Sequence, residues 1–492
     1  MGSTFSGLNT ALTSLYAQRR GLDVAGQNIA NANTEGYTRQ RVVMHGQNAN
    51  LVPGVYATTD AVGNGVTVTS VERLRNTALD QRSYTEHANS AYHNERTSAY
   101  NLIEDVFGEP SDTALQARLQ DMWDGFNAVA AHPAQKAPKA AALEQATTVA
   151  ASLNDAAGAL NSQYVATRAG LDTYAGEVNK TAASIAKLNH EIVVATQAGL
   201  QANELMDQRG QQILKLAELA GATTVDSPNG ATNVYIGNAQ LVSGFNVREI
   251  QIKDPSATRL EDLATLDVNL QWKDNGTPVV AGGTMGAQME LLRKGGTLAT
   301  WSQRLDDVAT KLAADVNGVH AGTNIDPETN QPVAAFGYDG SSGLQLFVPK
   351  EGATLNARNI MVNQEIVDDV DKLAISSGNP KSADAATRVL DGDRADALAE
   401  LADSRTGADA AYQSLIGDLG VAAQSSTRRR DIQNAVTDQV DAARDSESGV
   451  NLDEEMTNLL TYQRGYEAAS RVLTTIDSML DQLINRTGLV GR

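Results

Sequence analysis

A cluster of carboxylates in the second half of the chain has the residue types needed for acid–base chemistry. Asp391, Asp393, Asp396 and Glu400 lie close together in the sequence. Paired carboxylates can act as general acid and general base toward a substrate. No apolar run nearby supplies a pocket, however, and a loop leading into a capped helix accounts for the same residues. The cluster is therefore predicted to be structural, and no catalytic residue is assigned.

The histidines do not form a pattern that predicts a metal site. They are scattered over different predicted elements, at positions His45, His87, His93, His132, His190 and His320. No H-E-x-x-H motif occurs, and a spacing of six residues does not place His87 and His93 on one helical face. We interpret these two as exposed polar residues of a helix. The absence of cysteine excludes thiolate catalysis and cysteine-bound zinc. No cofactor and no metal are predicted.

Other short motifs also have simpler interpretations. GYDGSSGL lacks the G-x-S-x-G pattern of a nucleophile elbow, and no phosphate-binding glycine loop is present. Arg428, Arg429 and Arg430 could suggest an anion site, but within a helix they are predicted to pair with acidic neighbours.

The overall composition favours an elongated, acidic, helical protein. The 492 residues include 39 Lys and Arg against 59 Asp and Glu, a formal net charge of −20. This charge repels nucleic acid and anionic lipid, so neither is a predicted partner. Aromatic residues make up 4% of the chain and the mean hydropathy is −0.30. No apolar run approaches the roughly 20 residues of a membrane span. The N-terminus lacks the basic and apolar regions of a cleavable signal peptide.

Both termini carry heptad repeats. In the C-terminal segment the repeat comprises Leu459, Tyr462, Tyr466, Ala469, Leu473, Ile476, Leu480 and Leu483. In the N-terminal segment it comprises Leu8, Leu15, Leu22 and Ile29, with Ala11, Ala25 and Ala32 between them. Such narrow apolar stripes require a helical partner, in the same chain or in a neighbour. Periodicity alone does not choose between the two.

The interior predicts a helical rod with one β insertion. A heptad pattern over 143–192 predicts a helix of about 50 residues, roughly 75 Å long. Between 222 and 283 the helical period is replaced by alternating strand-like runs and turn signals. The fold class is therefore mainly α: an elongated bundle of long coiled-coil-like helices with a small inserted β domain and terminal helices, which the resemblance given below implies to be assembly helices. The predicted domains are 1–75 with 446–492 (terminal), 76–221 with 284–445 (rod) and 222–283 (β).

A turn motif follows the first helix. Asn28, Ala30, Asn31, Asn33, Thr34, Gly36 and Tyr37 stand in the segment NIANANTEGYTRQ. They resemble the N-terminal signature of bacterial flagellar rod, hook and hook-associated proteins. The segment GVNLDEEMTNLLTYQRGYEAASRVLTTIDSMLDQLIN resembles the matching C-terminal signature. The long interior helices with a small β insertion are most similar to the hook-associated family that joins hook to filament.

The resemblance implies a structural role without catalysis. It implies subunits that self-associate in a ring through their terminal helices, between the hook protein and a second junction protein. It also implies passage through the flagellar export apparatus, with an export chaperone, to an extracellular position on the flagellum. The terminal stripes would order when neighbours bury them.

Several other functions remain open from the sequence. The chain could be a hook or distal rod protein, or a flagellin-like filament subunit. An enzyme or adhesin displayed on flagellar-type ends is less favoured, because residues 222–283 contain no catalytic constellation.

Overall fold

The computed structural model describes residues 4–48, 63–325, 332–350, 352–384 and 388–485. Within these ranges the chain is mainly helical, as predicted. The helices are α1 (Thr4–Ala30), α2 (Thr77–Phe107), α3 (Leu115–Ala131), α4 (Lys136–Gln197), α5 (Asn203–Ala220), α6 (Gly283–Leu292), α7 (Thr297–His320), α8 (Gln364–Asp368), α9 (Asp393–Ala399), α10 (Ala408–Ser448) and α11 (Leu452–Asn485). None of the described helices is long and apolar enough to cross a membrane.

The strands form small antiparallel sheets. They are β1 (Gln40–Gly46), β2 (Val66–Arg73), β3 (Ala222–Asp226), β4 (Thr232–Ile236), β5 (Ala239–Ser243), β6 (Asn246–Val247), β7 (Ile250–Lys253), β8 (Asn269–Trp272), β9 (Phe347–Pro349) and β10 (Ile360–Val362). Strand β1 pairs with β2, β7 with β8 and β9 with β10, while β3 to β6 form a meander. The run VREIQI (247–252) predicts one strand from its alternation, and this prediction is wrong, because the chain leaves β6 after Val247 and enters a different sheet at Ile250.

Helix α4 is the longest element, and the other layers pack along it. It has 62 residues, which corresponds to about 93 Å. It is longer at both ends than the predicted 143–192. At its N-terminal end, the helix includes Pro138, because this residue lies in the first turn, where a missing N–H costs no intrahelical bond. Its buried stripe includes Leu153, Leu160, Leu171 and Ile185. These side chains belong to one apolar core that also contains residues of α3, α5, α7 and the β insertion.

Ser111 or Asp112, just before a helical pattern, predicts a helix start with one of these residues as N-cap, and this prediction is wrong. Helix α3 begins at Leu115, and neither of those residues is its N-cap. Ser111 instead accepts a hydrogen bond from the backbone N–H of Thr113 in the preceding turn. The segment SESG (446–449) predicts the end of the next long helix near Asp445; α10 continues to Ser448, and Gly449 of that segment ends it.

Asparagine side chains on α4 attach the β insertion to the rod. The amide of Asn179 donates to the backbone oxygen of Ile250 and accepts from its N–H, each at 2.9 Å. Asn189 is fully buried and makes the same pair of bonds with Thr232, at 2.8 and 3.0 Å. Each amide replaces the partner that a neighbouring strand would provide. The insertion is thus held on the helix by polar contacts as well as by the shared core.

Helix α1 lies between α11 on one side and the β1–β2 hairpin on the other. Val24 packs with Val42 and Val71 in a small apolar cluster separate from the main core. The N–H of Val66, at the start of β2, points to the hydroxyl of Thr13, 3.4 Å away. The terminal helices therefore have a partner within the same chain.

Candidate assembly site

The contact between α1 and α11 has a single antiparallel register. Gly7 lies against Ile476, Gln18 against Gly465 and Gly21 against Tyr462. A Cβ atom added at Gly21 would lie 2.6 Å from the Tyr462 ring, and one at Gly465 would lie 2.8 Å from the Gln18 side chain. The two backbones therefore approach closely, and residues without a side chain permit this approach.

The residues at this contact follow a heptad that overlaps the predicted one in α1. Gly7, Gly21 and Asn28 stand one residue before Leu8, Leu22 and Ile29, and the buried Ala11 and Ala25 belong to the predicted repeat itself. On α11, Tyr462 and Ile476 face α1 as expected for a seam, and Ala469 is buried.

The large apolar residues predicted to form the assembly interface remain partly exposed. This holds for Leu8, Leu15, Leu22, Ile29, Leu459, Tyr466, Leu473 and Leu480. Tyr462 and Ile476 are also partly exposed, although each contacts α1. The side chain of Leu483 lies outside the described residues.

Further apolar side chains of both helices point to the outside. Leu12 and Tyr16 of α1 are 36% and 61% exposed, and Leu460 and Met456 of α11 are 49% and 58% exposed. Val472 and Met479 are also about half exposed. The helix pair thus buries a narrow seam of small residues and leaves larger apolar residues uncovered.

Asn28 connects four segments at the inner end of the helix pair. Its amide nitrogen donates to the backbone oxygen of Gln40 at 2.9 Å and to Glu455 Oε2 at 3.0 Å. Its oxygen accepts from the Gln40 N–H at 3.0 Å and from the Tyr37 hydroxyl at 2.9 Å. All four hydrogen-bonding positions of this fully buried amide are therefore used. The bonds join α1, the turn, β1 and α11.

The charges around Asn28 are paired. Glu455 is 3% exposed and binds Arg39 at 2.7 Å, while the same guanidinium reaches Glu454 at 2.7 Å. Burial opposes the charge of Arg39, but its bonds to Glu454 and Glu455 raise its pKa. Burial, and then the nearby negative charges, raise the pKa of Tyr37, so its hydroxyl stays a proton donor. Arg39 and Glu455 are not recognisable as partners from the sequence, because an acidic residue in a first helical turn is common for dipole reasons alone.

The remaining residues of the turn motif shape the backbone. Asn31 donates to the Gln27 carbonyl at 3.0 Å and accepts from the Thr34 hydroxyl at 3.2 Å. Gly36 has a φ of 74°, which a residue with a side chain rarely adopts. Asn33 is exposed. The motif therefore makes a compact turn that presents Tyr37 to Asn28.

The same turn is fastened to the rod. Thr38 donates to Asp207 of α5 through both its N–H, at 3.2 Å, and its hydroxyl, at 2.8 Å. Arg73 of β2 binds the same carboxylate at 2.8 Å. The N–H of Arg39 donates to the backbone oxygen of Ser448 at 3.0 Å, at the end of α10. The terminal helices and the rod thus share one polar network.

A cleft of about 1250 Å³ opens at this joint, between the turn, α5 and the connection from α10 to α11. Its wall contains charges of both signs, from Arg39, Arg75, Arg444, Asp207, Asp441 and Glu454. Within the described ranges no three His, Asp or Glu residues are grouped to hold a metal ion.

The structure places the other candidate residues outside any common site. Asp391 accepts hydrogen bonds from the N–H of Ser377 and from the N–H of Asp393, so it acts in a turn and at a helix start. Arg430 pairs with the adjacent Asp431 at 2.7 Å.

The prediction that His87 is simply an exposed polar residue is wrong. Its ring is 22% exposed and lies between Glu218 of α5 and Asp441 of α10. This contact is not predictable from the sequence, because the two carboxylates are far from His87 in the chain.

Comparisons with known proteins match the two ends of the chain and its interior separately. The profile of the flagella basal body rod protein matches residues 8–38, and that of the flagellar basal body rod FlgEFG protein C-terminal region matches residues 444–486. The first range contains Asn28 and the turn, and the second contains Glu455. Paired ends of this kind define a structural protein of the bacterial flagellum. The profile of the flagellar hook-associated protein FlgK helical domain matches residues 100–333.

Relatives align over the whole chain. Flagellar hook-associated protein 1 of Bacillus subtilis is 28% identical, with 100% of both chains covered. The protein of the same name from Escherichia coli is 24% identical, over 97% of this chain and 99% of the relative. The solved structure of the flagellar hook junction protein FlgK from Burkholderia pseudomallei shares the fold, with a TM-score of 0.55, 14% identity, and coverage of 75% of this chain and all of that one. The interior profile, the aligned relatives and the shared fold all support a relationship to the flagellar hook-associated protein FlgK family.

Proposed function

We propose that this protein is a structural subunit at the junction of hook and filament, where copies assemble in a ring through the α1–α11 pair. The observation that carries the proposal is the apolar outer surface of this pair, above all Tyr16 and Met456, which are 61% and 58% exposed. Burying such a surface against neighbouring copies would release water and stabilise the ring. The seam of small residues keeps the pair thin, so that several pairs can pack side by side.

The partners proposed are the hook protein on one side and a second junction protein on the other. Export would proceed through the flagellar export apparatus with a chaperone, to an extracellular position. No catalytic role is proposed. The match of residues 100–333 to the FlgK helical domain supports a junction protein over a hook, distal rod or filament protein, which the terminal signatures alone would also fit.

Immunogold labelling of isolated hook–basal bodies with attached filaments tests the location. A band restricted to the boundary between hook and filament is expected. Labelling along the filament, along the hook or in the rod would contradict the junction role.

Substitution on the outer face tests the assembly surface. Leu460→Glu places a charge on an exposed apolar position of α11, so the purified chain should keep its helical content while failing to incorporate into hook–basal bodies. Gln463→Glu adds the same charge at a nearby exposed polar position and should incorporate normally. Normal incorporation of Leu460→Glu would show that this outer surface is not part of the assembly interface.

A further inference from the structure

The antiparallel contact between α2 and α10 changes character along its length. In its first part α10 buries Tyr412, Leu415, Leu419 and Ala423. The Tyr412 ring lies 6.3 Å from that of Phe107 at the end of α2. Along 426–448, which the structure describes in full, the buried side chains are those of Ser426, Thr437 and Val440. We call the contact of 426–448 with 76–97 the polar seam.

Hydrogen bonds between side chains follow the polar seam in register. The hydroxyls of Thr97 and Ser426 lie 2.9 Å apart. Ser90 donates to Asn434 at 2.8 Å. Thr437 donates to the backbone oxygen of Glu86 at 3.2 Å. These bonds specify the register, yet water can replace each of them when the helices separate.

The far end of the polar seam is ionic. Asp441 accepts from Ser83 at 3.1 Å and contacts His87 at 2.9 Å. Arg444 binds Asp80 at 3.3 Å, and Arg75 binds the other oxygen of the same carboxylate at 2.7 Å. A further bond, from Asn76 to Glu447 at 3.1 Å, lies near the end of α10.

The ring of His87 is the titratable centre of this network. Its two nitrogens face two carboxylates, Glu218 from α5 at 3.2 Å and Asp441 from α10 at 2.9 Å. A neutral imidazole has one N–H and can donate to one of them, whereas an imidazolium donates to both. The bond to Glu218 is the largest cause that raises the pKa of His87; burial opposes it, and Asp441 adds to the rise.

We propose that residues 426–448 separate from α2 as a local cooperative unit while 408–423 stays packed, and that deprotonation of His87 favours the separation. Opening this part exposes little apolar surface, so the hydrophobic penalty that holds 408–423 in place is largely absent. Because only 449–451 separates α10 from α11, the opening changes how the terminal helix pair is held on the rod.

The pH dependence has a definite sign. A histidine whose pKa is raised on folding stabilises the closed state below the pKa of the open state, and this stabilisation is lost as pH rises through the closed-state pKa. Opening should therefore increase from mildly acidic to mildly alkaline pH.

Hydrogen exchange measured by mass spectrometry on the purified full chain tests the proposal. After correction for intrinsic rates, amides in 426–448 should be at least about 10-fold less protected than those in 408–423. Their protection should fall by a further factor of about 3 or more between pH 6 and pH 8.5. In His87→Gln the fall should disappear, while 408–423 behaves as before.

A second variant makes the test independent of His87. Ser90→Ala combined with Asn434→Leu replaces one polar pair of the seam with apolar groups and should raise the protection of 426–448 by about 10-fold. Gln439→Leu adds the same leucine on the exposed face of α10 and should not. Equal protection of the two parts of α10, an unchanged pH response in His87→Gln, or no gain in the double variant would each overturn the proposal. None of these outcomes bears on where the protein sits in the flagellum.

Discussion

Gly21 of α1 lies directly against the aromatic ring of Tyr462 in α11, with no space for even a methyl group between them. The nearest ring atoms include Cγ, the atom by which the ring joins its side chain, so the ring cannot turn away cheaply. The close approach of the terminal helices therefore depends on the missing side chain at this position.

Gly21→Ala should destabilise the terminal helix pair by about 1–3 kcal/mol, because overpacking outweighs the gain in helix propensity. Gly26→Ala is the matched control, since a Cβ at Gly26 meets nothing within 4 Å. It should stabilise the same helix by up to about 1 kcal/mol. Urea unfolding followed by circular dichroism measures both. A Gly21→Ala variant as stable as Gly26→Ala would show that the helices do not pack this closely.

Asn28→Ala should lower the free energy of unfolding by about 2–4 kcal/mol, because the backbone of Gln40 and the Tyr37 hydroxyl lose their buried partner. Asn33→Ala, at an exposed position of the same turn, should change it by less than about 0.5 kcal/mol. Denaturation in urea compares the two. Equal effects would mean that the Asn28 network does not stabilise the joint.

Asn179→Ala should loosen the β insertion from α4, because the N–H and C=O of Ile250 then lack their partner. Ile250 is only 2% exposed, so water does not replace that partner. The expected loss is about 2–3 kcal/mol. Amide exchange of 246–253 should increase in this variant and stay unchanged in Lys180→Ala, its exposed neighbour. Unchanged exchange in Asn179→Ala would show that the apolar core alone holds the β insertion on α4.

Because His320 is buried, we expect the stability of the rod to fall at acidic pH. The ring is fully buried, accepts from the Ala374 N–H at 2.9 Å and lies 2.8 Å from the Leu344 carbonyl. Burial lowers its pKa from 6.5 to about 4. Because the folded state holds the neutral ring, stability is fully present above about pH 6.5 and falls as pH drops toward 4, by up to about 3 kcal/mol.

The measurement is the urea midpoint between pH 7.5 and pH 4. His320→Gln should flatten the midpoint curve between pH 6.5 and pH 4, whereas His45→Gln, at an exposed position, should leave it as in the wild type. A wild-type curve retained in His320→Gln would assign the acid sensitivity to other groups.

Much of the architecture followed from periodicity and turn residues. The heptad over 143–192 predicted α4, because a long apolar stripe is a direct consequence of packing along one face. The loss of that period after Gly221 located the β insertion. The turn after α1 could be predicted because Asn and Gly favour the conformations that a compact turn needs.

Polar pairs between residues far apart in the chain could not be predicted from the sequence. Glu218, His87 and Asp441 meet from three helices, and Arg39 meets Glu455 across more than 400 residues. A charged residue has the same local signal whether it is solvated or paired, so its partner is known only when the chain has folded.

The sequence by itself determined that both termini are helices with apolar residues every seven positions and that a fixed turn follows the first. Only the tertiary structure decided which residues meet. A heptad repeat specifies spacing but not rotation about the helix axis, so Leu8 and Leu22 were as reasonable a seam as their neighbours. Gly7, Gly21 and Asn28 contact α11, because residues with little or no side chain allow the helices to approach closely, and such residues give no signal in a search for hydrophobic stripes.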